Sequence, residues 1–107
     1  MVVSAERVRR LALALPGAAV QEHHGRPSFR VAGRIFATLW DARHLNVMLE
    51  PARIEALASD REGVCLPVWW GRRLAALQID LDRATMGLVE RALEEAWRRR
   101  SPPPLRA

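Results

Sequence analysis

Residues 27–40 read PSFRVAGRIFATLW, and this stretch decides the fold. In its first half Phe29 and Val31 alternate with Ser28 and Arg30, the two-residue period of a strand with one buried and one wet face. Gly33 interrupts the alternation and supplies a turn. Residues 34–40 then resume as a second strand carrying apolar groups on both faces, Ile35, Ala37 and Leu39 against Phe36 and Trp40. Two-sided apolarity belongs to a central strand that is covered, at least in part, on both sides. Toward the C-terminus, Asp41, Ala42 and Arg43 form a short connection, after which Leu45, Val47 and Leu49 alternate with His44, Asn46 and Met48. Toward the N-terminus, residues 20–23 suit a short strand. The sequence therefore predicts an antiparallel meander with short loops.

Helical signals flank the meander. Ser4 is a plausible N-cap for a helix over residues 5–15, with Val8, Leu11, Ala12 and Leu15 at helical spacing and Pro16-Gly17 as its stop. Pro51 suits the first position of a second helix, whose apolar stripe is Ile54, Leu57 and Ala58. Residues 59–63 read as a polar loop. Residues 64–73, VCLPVWWGRR, read as irregular because Pro67 and Gly71 interrupt them. Leu77, Ile79 and Leu81 alternate with Gln78 and Asp80 as one more strand. Asp82 is expected to cap the last helix, whose seam is Met86, Val89, Leu93, Ala96 and Trp97. Arg98, Arg99 and Arg100 complement its negative C-terminal end, and Glu94–Arg98 and Glu95–Arg99 are well-oriented pairs four residues apart. The tail from Ser101 is expected to fray. The fold class is α+β, a single domain over residues 1–107 with helices packed on an antiparallel sheet.

Composition narrows the class further. At 107 residues the chain has the size of one domain, and it should bury roughly 65% of its unfolded surface. Half of the residues are apolar and 27% are charged, a globular rather than a disordered balance. No apolar run approaches the roughly 20 residues of a membrane span, and residues 1–10, with Glu6 and three arginines, lack the apolar core of a signal peptide. The single Cys65 cannot form an internal disulfide, so a cytoplasmic setting is expected. All 17 basic residues are arginine, set against 12 acidic ones, for a net charge of +5. That excess permits nucleic-acid binding without demanding it.

Four blocks carry a family likeness: LALALPGA (residues 11–18), HHGRPSFRVAGRIFATL (23–39), WGRR (70–73) and LEEAW (93–97). In this order they resemble the MmcQ/YjbR family, and the likeness runs through nearly the whole chain. The resemblance implies a compact domain in which helices pack on a curved antiparallel sheet. It also implies DNA binding, with two projecting hairpins, a double wing, straddling a duplex. Two positions depart from the family pattern. Arg26 stands where relatives often carry a second histidine after the glycine. The tail reads Ser101-Pro102-Pro103-Pro104-Leu105 where relatives tend to have Ala-Pro-Lys-x-Leu, so a lysine is missing.

The leading candidate site is basic. Between His23 and Arg43 stand Arg26, Arg30, Arg34 and Arg43, against Asp41 as the one acid. Arg30 faces away from Phe29 and Val31, and Arg34 follows Gly33, so both sit near one exposed hairpin tip. Arg72 and Arg73 would stand on a second projecting element. Guanidinium forks so placed clamp phosphates and release counterions, which gives salt-sensitive, sequence-independent binding. The competing reading is that these arginines only solvate a sheet face and discourage edge pairing.

The rival is a binding module for a protein or small ligand, using the free sheet face and the Trp69–Trp70 loop, with His23, Trp40, Met48 and Trp70 lining a cleft. Equally, one of the two loop rings could pack on Trp97 or Trp40. A homodimer through the same face is a third expectation. His23 and His24, adjacent on a strand, should point to opposite faces, and no metal-ligand spacing is present. Cys65, between Val64 and Leu66, sits in a setting that leaves a thiol inert. Asp80 reads as solvent-facing. With no catalytic constellation, the expectation is a non-enzymatic, cofactor-free domain that binds DNA without sequence preference and does not enter a membrane.

Overall fold

In the computed structural model, which describes residues 2–106, the chain opens with α1 (Ala5–Leu13), capped by the Ser4 hydroxyl accepting from the Arg7 N–H at 3.0 Å. The helix stops two residues short of the expected Leu15, because a residue preceding proline disfavours the helical region and Leu15 precedes Pro16. Four strands follow: β1 (Ala18–His23), β2 (Arg26–Val31), β3 (Arg34–Leu39) and β4 (His44–Val47). Then come α2 (Pro51–Asp60), β5 (Cys65–Trp70), β6 (Arg73–Asp80), α3 (Met86–Arg100) and a single helical turn, α4 (Pro103–Arg106). All six strands form one antiparallel sheet in the order β1-β2-β3-β4-β6-β5.

One face of the sheet carries the core. Phe29, Val31, Phe36, Leu45, Val47, Leu77 and Ile79 are fully buried there. Each large side chain of this kind contributes about 1.5–3 kcal/mol by leaving water. α3 packs across β3, α2 across β5 and β6, and α1 against α3 and β1. A β-bulge between β2 and β3 lets the consecutive Phe36 and Ala37 both join the core. From α3 the seam is Leu88, Val89, Ala92, Leu93, Ala96 and Trp97, the Trp97 indole donating to the Pro16 carbonyl at 2.8 Å. Ser101 is buried, its N–H and hydroxyl both donating to the Trp97 carbonyl. Among the described residues, no helix is long and apolar enough to cross a membrane.

The structure corrects several local expectations. Residues 64–73 are a hairpin, not an irregular segment. β5 is the outer strand, where a proline without an N–H is accommodated, and Gly71, at φ +63°, takes the turn. Asp82 does not cap α3. The Asp80 carbonyl accepts from the Arg83 and Ala84 N–H groups at 3.1 and 2.9 Å, closing a separate turn over residues 81–83 that is anchored where Leu81 bonds Arg43 at 2.7 Å and Val3 at 2.9 Å. The cap is Thr85, whose hydroxyl accepts from the Leu88 N–H at 3.1 Å. Glu94 pairs with Arg98 as expected, but Glu95 turns to Arg53 at 3.0 Å. Arg99 donates to the Met48 carbonyl at 3.3 Å instead.

On the helix-free face, the cross-strand register sets Gln21, Ser28, Thr38, Asn46, Gln78 and Leu66 side by side in one row. Ser28, Thr38 and Asn46 are only 0%, 9% and 5% exposed, although no helix covers them. The sheet's own curvature does. In a flat sheet, strands five steps apart would lie roughly 24 Å apart. Here His23 and His24 at the end of β1 and Trp70 at the end of β5 line one cavity with Thr38 and Asn46, so the two edges approach each other across this concave face. The bulges between β2 and β3 and between β5 and β6 add to the bend.

Candidate functional site

Two hairpin tips and one helix end meet at the same end of the sheet. β3 and β6 run parallel, separated by β4, so their starting residues, Arg34 and Arg73, lie at one end. The β2–β3 turn is Ala32-Gly33, with φ of +51° and +77°, the two left-handed positions of a type I′ hairpin. The β5–β6 turn is Gly71-Arg72. α3 delivers Arg99 and Arg100 to the same place. Burial first, and then the like charges of Arg99, Arg34 and Arg73, push the Arg100 guanidinium below its ordinary value. Its Nε is buried and meets no hydrogen-bond partner among the described residues. Arg34, Arg72 and Arg73 are exposed. Arg30 stands just inside the tip, its Nε donating to the Ser28 hydroxyl at 3.3 Å. None of these six arginines forms an ion pair among the described residues.

The other two arginines of the expected set are elsewhere and engaged. Arg26 donates from Nε to the Trp40 carbonyl at 2.9 Å and lies 3.7 Å from the centroid of the Trp40 ring. Arg43 grips both Asp80 oxygens, at 3.0 and 2.9 Å, and reaches Asp82 at 3.2 Å. Asp80 is thus not solvent-facing. The Arg43 fork, aided by the Asp82 N–H, holds its carboxyl down to about 2. Arg99 and Arg100 belong to the basic end, whereas the sequence offers them only as complements to the helix dipole and, for Arg99, as a partner of Glu95.

Along the concave face runs a cleft of about 300 Å³. Trp40, Met48, Ile35 and Trp70 supply its apolar walls, and Thr38 and Asn46 line it as well. His23 and His24 close it from the β1–β2 turn, ring centroids 4.3 Å apart and edge to face. Both line the cleft because His24 adopts φ +53°, which removes the alternation expected of neighbouring strand residues. His23, Trp40, Met48 and Trp70 therefore share one cavity. Trp69 does not. Its register partner is Leu74, a core residue, so Trp69 lies on the opposite face of β5 from Trp70. Trp70 lies against Arg73, whose guanidinium carbon is 5.1 Å from the ring centroid, rather than on Trp97.

Inside the cleft, the Asn46 carbonyl oxygen accepts from the Gln78 amide at 3.1 Å, which fixes the Asn46 amide and leaves its nitrogen without a protein acceptor among the described residues. A wider groove of about 660 Å³ lies between α2 and α3, but the Arg53–Glu95 ion pair lies across it. Cys65 is buried, and burial pushes its thiol up.

A family model described as YjbR matches residues 13–99. The crystal structure of Deinococcus radiodurans protein DR2400, with a DUF419 domain, is similar to this chain at a TM-score of 0.75 and 17% identity, covering 88% of this chain and 75% of that one. At that identity the likeness is one of fold. None of the curated proteins matches the chain.

Proposed function

The chain belongs to the YjbR family, and from that premise we propose that it is a DNA-binding domain that grips the phosphate backbone at its basic end. The supporting observation is the gathering there of Arg30, Arg34, Arg72, Arg73, Arg99 and Arg100, none paired with a carboxylate among the described residues. An unpaired guanidinium seeks an oxyanion, and phosphates spaced along a strand offer several. The half-charge at the C-terminus of α3 offsets only a fraction of this cluster. Backbone contacts of this kind carry no base identity, so binding is non-specific and falls with salt. Arg26 and Arg43, held by Trp40 and by Asp80, take no part in the grip.

The test is fluorescence anisotropy on a labelled mixed-sequence duplex across a salt series. The Arg34→Ala/Arg73→Ala variant weakens binding to every sequence alike and lowers the salt slope by about 0.9 for each phosphate it no longer holds. An Arg10→Ala/Arg91→Ala variant, which removes equal charge elsewhere, keeps the slope. Equal slopes in all three proteins would remove the assignment.

A further inference from the structure

The cleft and the basic end are continuous, because Trp70 lines the first and lies against Arg73 of the second. The chemistry of the lining narrows what fits. Among the described residues no carboxylate lines the cleft, while Arg26, His23 and His24 do, which disfavours a cation. The Thr38 hydroxyl and the Asn46 amide nitrogen find no protein partner among the described residues, so a wholly apolar guest would strip them of water without replacing it. Trp40 and Trp70, 46% and 52% exposed, offer ring surface to a planar guest. The volume is at the small end of ligand sites.

We infer that the cleft takes an unpaired nucleobase. The base stacks among Trp40, Trp70 and the His23–His24 pair, and its acceptor edge faces Asn46 and Thr38. Its phosphate lies toward Arg73 and its neighbours at the basic end. A base inside a duplex cannot reach such a site without leaving the stack. The preferred partner is therefore nucleic acid with unpaired nucleotides, or a free nucleotide of the same chemistry. The strand's path rests on the phosphate grip proposed above; the base site itself does not.

The experiment compares three probes on the intact chain: a mixed-sequence single-stranded DNA oligonucleotide, the same oligonucleotide in a duplex, and a free 5′-mononucleotide. Tryptophan fluorescence reports the cleft, and anisotropy of the labelled oligonucleotides reports affinity. The expected result is quenching by the single strand, a preference for it over duplex, and loss of roughly tenfold of that preference in both Trp70→Ala and His23→Ala. Both residues are exposed enough that the fold should survive either change. Quenching by the mononucleotide alone assigns the site to a free nucleotide, and quenching by the strand alone assigns it to unpaired DNA. Quenching that persists while duplex binding is absent keeps the base site and removes the phosphate grip. Absence of quenching by strand and nucleotide alike, or variants with the wild-type preference, would overturn the inference.

Discussion

Arg43 and Arg34 show how identical side chains take different work from their neighbours. Arg43 meets Asp80 and Asp82 and ties the β3–β4 connection to the end of β6. Arg34 stands instead at the basic end, close enough to Arg100 for its charge to help lower that guanidinium. The Asp80 pairing has a pH signature. Its folded carboxyl titrates at about 2, below the 3.8 of the free group, chiefly through the Arg43 fork. A lowered carboxylate pKa contributes stability above the unfolded value and loses it as pH falls through the folded one. Asp80→Asn should therefore be less stable than wild type at neutral pH, with the gap closing between about pH 4 and pH 2. Denaturant midpoints measured across that range check it, and a gap that stays constant would contradict the assignment. Sequence could not sort these arginines, because their partners lie far along the chain. Nor did it single out Thr38 and Asn46, since a polar residue at an alternate strand position reads as solvent-facing.

The strands around PSFRVAGRIFATLW were legible because alternation and a glycine turn are local signals. The β5–β6 hairpin was not, because Pro67 and Gly71 read as breakers and only an outer position with a tight turn accommodates them. The start of α3 failed for a related reason. Asp82 is a good cap in isolation, but it lies inside a turn closed by the Asp80 carbonyl and anchored where Leu81 bonds Arg43 and Val3, so the helix starts beyond it. Thr85→Ala should accordingly cost about 1 kcal/mol of stability, the usual cost of removing a cap. Asp82→Ala should leave the start of the helix unmoved. Chemical denaturation for the cost, and amide hydrogen exchange at Leu88 for the cap, separate the two. Equal protection of Leu88 in wild type and Thr85→Ala would contradict the capping role.

Curvature joins the parts into a site. By bending its edges inward, the sheet turns a polar row and a set of aromatic and sulphur-bearing side chains into one cleft, and sets that cleft beside six arginines. The basic hairpin was partly readable, since Arg30, Arg34, Arg72 and Arg73 stand beside turn signals. The convergence of Arg99 and Arg100 on them was not, because it depends on how α3 crosses β3. The central claim is that this end grips phosphates, and it is tested most directly by the wild-type protein titrated with a labelled duplex at several salt concentrations. The account predicts binding at low salt with log K falling linearly in log salt, at a slope near −0.9 for each phosphate held. Absence of binding at the lowest salt, or binding indifferent to salt, would contradict it.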